Sequence, residues 1–177
     1  AISFWNSLRR LQNENRCSQA YFLDLFAQVT ELDHDKGEVT MKQQVTGIHH
    51  ITAIAGDPQE NLDFYVGVLG LRLVKKSINQ DVPDTYHLFF ADGEGHPGTD
   101  LTFFPWPRMA SGRRGAGVWG EVAFSVPKGS LDYWDQRLRA YGITPAPRES
   151  RFGENVLPFS DPHGMALVLV ETEPYER

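Results

Sequence analysis

The amino-acid sequence predicts an α+β protein: two tandem β-α-β-β-β modules forming a curved mixed sheet with the helices outside. Three observations predict it. Leu62-Asp63-Phe64-Tyr65 returns as Leu131-Asp132-Tyr133-Trp134. Each copy follows an apolar strand, "GIHHITAIA" or "GEVAFSV", and precedes a glycine, Gly70 or Gly142, of the kind that ends helices. Each copy then closes through a Pro/Gly turn into an apolar run, "HPGTDLTFF" or "DPHGMALVLV", so the repeat is about seventy residues long.

The first module spans about 45–105 and opens with the strand at 47–55. Asp57 is a good N-cap, Pro58 suits the first helical position, and Glu60 completes a capping-box-like start to a helix over 59–69. Strands follow at 71–78, 86–91 and 99–104, separated by the turns "NQDVPDT" and "ADGEGHPG". The second module spans about 117–173, with a strand at 120–126 and a helix at 130–141. Its later strands lie at 147–152, 155–160 and 165–171, separated by Gly153-Glu154 and Asp161-Pro162. Between the modules, "PWPRMASGRRGAGV" has no periodicity and reads as a linker loop. One such unit leaves a sheet face bare, and pairing two encloses a cleft.

Residues 1–40 differ from the two-module domain over 41–177. They are helix-permissive, with Tyr21, Phe22, Leu25 and Phe26 at helical spacing and no turn signals. Two readings stand. Either an N-terminal helix packs on the domain or on a second subunit, or Met41 is the natural start, behind Gly37-Glu38-Val39 codons that resemble a bacterial ribosome-binding site.

Composition narrows the function classes. The chain has 177 residues, enough for one domain with a real core. Its net charge of −6 is interspersed, and no basic stripe of the kind nucleic acid needs is present. A single cysteine, Cys17, excludes a disulfide framework and a cysteine-rich zinc site. No apolar run is long enough to span a bilayer, and no signal peptide is visible, so the expectation is a cytoplasmic protein bound to neither nucleic acid nor membrane.

The pair His49-His50 is the conspicuous chemistry. Neighbours on a strand face opposite sides, so the two rings do not both enter one cleft without a bulge. His50 shares its side with Ile48, Thr52 and Ile54, while His49 shares its side with Ile51 and Ala53. On spacing alone each reads either as a histidine hydrogen-bonded in a sheet or as a metal ligand.

At this point the residues carry a family likeness. The paired modules resemble the vicinal-oxygen-chelate superfamily of glyoxalase I, bleomycin-resistance proteins and extradiol dioxygenases. More narrowly, "GIHHITAIAGDPQENLDFYVGVLGLRLVKKSINQD", "YHLFFAD" and "PGTDLTFFPWP" resemble the N-terminal half of hydroquinone-type ring-cleaving dioxygenases. The resemblance implies that His50 is a ligand of Fe(II), with Mn(II) as the variant metal. It also implies that Thr52 stands beside that ligand and that His49 serves behind it or at the substrate. Such sites use two histidines and a carboxylate. Glu121 matches His50 in the second module, and Asp100 lies on the last strand of the first; both are further candidate ligands. The usual last-strand glutamate is replaced by Val168, and its first-module counterpart is Thr102.

The resemblance also implies an Fe(II)-dependent dioxygenase that opens a hydroquinone- or catechol-like ring with O2, or the N-terminal half of one. Full-length members carry four modules, whereas this chain stops at "ETEPYER"; a fragment, a C-terminal partner half and a two-module protein are the three readings. A homodimer would supply His50 twice but not the glutamate. The alternatives are a metal-free module that sequesters an aromatic molecule, as in bleomycin resistance, or a glyoxalase-like lyase.

The remaining polar residues read more plainly. His87 in "YHLFF" packs or caps an edge, His96 and His163 sit in Gly/Pro turns, and Arg108, Arg113 and Arg114 read as solvated linker residues or, alternatively, as a gate for an acidic or phenolic substrate. Phe64-Tyr65 and Tyr133-Trp134 read as core. Ser125, Ser130 and Ser160 have no triad around them, and no phosphate-cradling loop is present.

Overall fold

The structure, a computed structural model, describes residues 45, 47–110, 112, 115 and 120–173. The extension at 1–40, Met41, Arg113 and Arg114 lie outside the described residues.

Each module contributes its own four-stranded mixed sheet. The first has the order β1 (His50–Ala55), β4 (Asp100–Pro105), β3 (Tyr86–Ala91), β2 (Arg72–Ile78). The second has the order β5 (Val122–Pro127), β8 (Ala166–Thr172), β7 (Glu154–Ser160), β6 (Glu149–Arg151). In both, the first strand runs parallel to the last and the other pairs are antiparallel. The repeat seen in the sequence is thus a repeat of topology.

The first helix starts as the spacing predicts and continues otherwise. Helix α1 (Pro58–Leu62) has Asp57 at its N-cap, where Oδ1 accepts the N–H groups of Gln59 at 2.8 Å and Glu60 at 3.0 Å. From Asp63 to Val68 the coil widens into a π-helix, where a single α-helix was expected. Phe64, Tyr65 and Val68 are all buried in that wider turn. Gly70, at φ +75°, ends it, and the Leu71 N–H reaches back to the Tyr65 carbonyl at 2.9 Å. Helix α2 (Leu131–Ala140) has no side-chain bond from Ser130 at its N-cap; instead buried Glu171 on β8 accepts the Leu131 N–H at 3.2 Å.

One face of each sheet carries the core. Ala53, Leu101, Phe103, Leu88 and Phe90 pack against α1 and its π-helical continuation, while Val126, Leu157, Phe159, Leu167 and Leu169 join Leu131 and Leu138 of α2. The modules interlock through reciprocal contacts. The Tyr65 hydroxyl donates to Asp161 Oδ2 at 3.0 Å, in the β7–β8 turn, and the Phe64 and Phe159 rings lie 6.4 Å apart. Arg137 of α2 donates in return to the carbonyls of Val68 and Gly67, each at 2.7 Å.

Two expectations change in the second module. Strand β6 is shorter than 147–152, since Pro147 has no N–H for a ladder, and the turn residues are Phe152-Gly153, at φ +53° and +85°. Tyr133 is 56% exposed and Trp134 only partly buried, so this aromatic pair is not core in the sense Phe64-Tyr65 is. Among the described residues no helix is long and apolar enough to cross a membrane.

Candidate functional site

The face of the first sheet turned away from α1 is where the polar residues collect. The parallel β1–β4 register sets His50 opposite Asp100 and Thr52 opposite Thr102, and the antiparallel β3–β4 register sets Phe89 opposite Thr102. Alternation then puts His50, Thr52, Asp100, Thr102, Phe104, His87 and Phe89 on one side. Leu88, Phe90, Leu101 and Phe103 take the core side.

Strand β1 begins at His50, so strand alternation does not constrain His49. The structure brings the two imidazoles together, which corrects the expectation that they turn apart. Their Nδ1 atoms are 2.9 Å apart and their rings meet edge to face at 5.1 Å. Such a bond requires one protonated and one bare nitrogen. It orients His50 through one ring nitrogen, the way a ligating imidazole is usually held. Just before this pair the chain passes close to Gly98: at φ +87°, a Cβ there would stand 3.0 Å from the Ile48 carbonyl oxygen.

Behind Thr52 lies a polar row that the spacing did not reveal. Thr52 Oγ1 is 2.8 Å from Thr102 Oγ1, and Thr102 Oγ1 is 3.0 Å from His87 Nε2. Both threonines are buried. The His87 ring lies between Phe89, at 4.0 Å, and Phe104, at 4.2 Å, and Trp106 extends the strip, 5.9 Å from Phe104. Lys75 reaches over Phe89 at 5.3 Å. His87 was expected to pack or cap an edge; it does pack, and it also ends a hydrogen-bonded row. The signal was the polar residues at alternate positions, 50 and 52 on β1 and 100 and 102 on β4, on otherwise apolar strands.

The candidate ligands are less well gathered. Asp100 is beside His50 by register. Glu121 is held in an ion pair with Arg151, which also pairs with Glu149 at 2.9 Å. Among the described residues, no three histidine, cysteine, aspartate or glutamate side chains converge on a point. The two-histidine, one-carboxylate set that non-haem iron needs is therefore not assembled by these residues alone. A cavity of about 380 Å³ opens between the modules, walled by Ile51, Leu101, Val122, Phe124 and Trp134, with Asp100 at its border. It touches neither His50 nor Thr52.

Residues 47–169 match the family model described as the glyoxalase/bleomycin resistance protein/dioxygenase superfamily. The Bacillus subtilis protein MhqO, provisionally named a ring-cleaving dioxygenase, is 51% identical over 136 residues, which are 77% of this chain and 43% of MhqO. The chlorohydroquinone/hydroquinone 1,2-dioxygenase of Sphingobium indicum is 36% identical over 136 residues, 75% of this chain and 42% of that enzyme. A crystal structure of a Bacillus subtilis protein, provisionally named a dioxygenase, superposes with a TM-score of 0.69 at 52% identity, over 72% of this chain and 41% of the other. The chain thus spans less than half the length of the curated relatives it matches.

Proposed function

From the premise that the chain belongs to the glyoxalase/bleomycin resistance protein/dioxygenase superfamily, we propose that it forms one arm of a ring-cleaving dioxygenase active site for hydroquinone- or catechol-like aromatics. The observation that carries this is that His50 and Thr52 share the polar face of the first sheet in a chain 51% identical to MhqO. His50 would be one donor to Fe(II) or Mn(II), oriented by His49; the other donors would come from the part of the relatives that lies beyond the match, as a fused or partner half. Bound there, the metal would supply the Lewis acidity and redox chemistry for O2. The chain's own residues hold the aromatic: Thr52 meets a phenolic oxygen, and the Phe89–His87–Phe104–Trp106 strip offers a flat wall to the ring. Holding ring and oxygen together makes the reaction effectively intramolecular.

The test is to join the chain to the C-terminal part of MhqO and measure metal content and oxygen uptake with hydroquinone. Tight metal and oxygen uptake are expected, with both lost in His50→Ala and a smaller loss in His49→Ala. One tightly held iron in the isolated chain would mean the ligand set is wrong, with Asp100 the first residue to suspect. A second reading, capture of a flat aromatic without metal, draws on the same aromatic strip; hydroquinone binding that survives chelation and His50→Ala would favour it.

A further inference from the structure

The second module supplies the control for the row behind Thr52. By the same register, Thr52 corresponds to Ala123, Thr102 to Val168 and His87 to Val156. One fold thus accommodates apolar residues, an exposed Ala123 and the buried Val168 and Val156, at the positions where the first module has two buried hydroxyls and a half-buried imidazole. Thr and Val have nearly the same shape, and replacing both partners of a buried hydrogen bond by apolar groups of equal shape is close to neutral. Stability does not require the row.

The row has a property that the separate bonds lack. Each hydroxyl has one proton to donate. When His87 Nε2 carries a proton it donates to Thr102 Oγ1, Thr102 donates to Thr52 Oγ1, and the Thr52 proton is left to point outward. When Nε2 is bare, both hydroxyl protons are drawn inward and Thr52 presents only lone pairs. The Phe89 and Phe104 rings on either side of the imidazole hold it in line.

We propose that His87, acting through Thr102, is a positioning residue that sets Thr52 as a hydrogen-bond donor to a phenolate oxygen on the face of His50. The inference rests on the proposed aromatic substrate, but not on the metal or on ring cleavage. A phenolate accepts only, so the outward-pointing Thr52 proton is the polarity it needs, and the charge-assisted bond favours it over the neutral phenol, whose oxygen accepts more weakly.

The experiment uses the full chain with 4-nitrophenolate as probe, above its pKa, and neutral 4-nitroanisole as the control that cannot ionise. Affinity is read by optical titration, and the protonation of His87 by the nitrogen-15 resonances of its ring. Thr102→Val should weaken the phenolate about tenfold, on the scale of one bond to a charged group, and leave the anisole unchanged; Thr102→Ser should restore it. His87→Phe, which keeps the aromatic stack, should give the same loss as Thr102→Val, and the double variant no more than either alone. Adding phenolate to the wild type should leave His87 Nε2 protonated. Equal weakening of both ligands would show a merely structural row and overturn the proposal, as would a bare Nε2 in the complex or full phenolate affinity in Thr102→Val. The dioxygenase reading is judged separately by oxygen uptake of the joined protein, so a relay without uptake, or uptake without a relay, identifies which idea failed.

Discussion

The two modules share strand order, strand direction and helix placement, yet they spend their buried positions differently. The first buries Thr52, Thr102 and Asn61. At the places matching Thr52 and Thr102, the second has exposed Ala123 and buried Val168, and its buried polar groups among the described residues are instead Asp161 and Glu171, which bond to helices. Topology is therefore not what demands the hydroxyls. The first module carries polar groups that the fold can do without, and such groups are the ones to read for function, since buried polarity is costly unless fully bonded. The second module reads as scaffold. Its Asp161 and Arg137 hold the first module's helix in place.

The aromatic pairs of the two helices break the symmetry most strongly. Phe64 is 2% exposed and rests on Tyr65 and Phe159, whereas Tyr133, its partner in the repeat, is 56% exposed. Phe64→Ala should lower unfolding free energy by about 3–5 kcal/mol, the usual loss for a buried aromatic. Tyr133→Ala should change it by less than about 1 kcal/mol. Denaturant midpoints of the two variants measure the difference, and similar losses would mean that the modules share the core more evenly than they do here.

Exchanging the trios sharpens the same contrast at smaller scale. Val168→Thr puts a hydroxyl among apolar neighbours and should destabilise by about 1–3 kcal/mol. Replacing Thr52 and Thr102 together by Val should be nearly neutral for stability while removing the phenolate selectivity. Thermal unfolding with 4-nitrophenolate titration reads both. A destabilised double variant would return the row to a structural role.

Much of this was legible in the sequence, and the boundary has physical causes. The repeat gave away strand order because alternating apolar residues and helix-ending glycines are local signals. Helix α2, the helical stretch 58–68 taken with its π-helical continuation, and β2, β3, β4, β5, β7 and β8 lie within a residue or two of their expected spans. The His87–Thr102–Thr52 row was not legible, because it depends on how β3 sits against β4. The turn "ADGEGHPG" sets that register through bonds to Asp92 that no pattern of polarity announces. The meeting of His49 with His50 was not legible because β1 starts at His50, three residues later than the expected 47, so His49 lies outside the alternating strand. Helical spacing correctly marked Tyr133 as aromatic on a helix, but it does not say whether another element covers that face.

Asp92 and Asp161 extend the comparison to pH. Each follows the third strand of its module, yet they titrate in opposite directions. At Asp92, burial pushes the carboxyl up, but the backbone and ring of His96 and the N–H groups of Gly95 and Glu94 outweigh it and hold the group at about 2. At Asp161, burial pushes the carboxyl up by more than the Met165 N–H, the Tyr65 hydroxyl and His163 pull it down. A carboxyl lowered in the folded state contributes stability above its ordinary range, and that contribution disappears as pH falls toward 2. A raised one contributes below its ordinary range, and that contribution disappears as pH rises through the raised value. Asp92→Asn should therefore flatten the acid limb of the stability curve between pH 4 and about 2, and Asp161→Asn should flatten the curve above pH 4. Urea midpoints across that range would show it. Identical slopes in the two variants would mean that the turns are electrostatically equivalent.

The smallest effect lies at the edge of the second module. The β6–β7 hairpin closes on Phe152-Gly153, both with positive φ, the pattern of a type I′ turn. Phenylalanine is poorly suited to φ +53°, and its side chain is fully exposed, so no burial offsets the strain. Phe152→Asn keeps the backbone and places before Gly153 the residue type that tolerates this conformation best. It should stabilise the protein by about 0.5–1 kcal/mol, on the scale of a relieved left-handed residue. The gain should come from the hairpin alone, leaving 4-nitrophenolate affinity unchanged, since Phe152 is not among the residues of the polar face. A loss of stability instead would show that the Phe152 ring is covered in solution. The exposed edge of the scaffold module would then be an interface, and not the simple strained turn its dihedral angles describe.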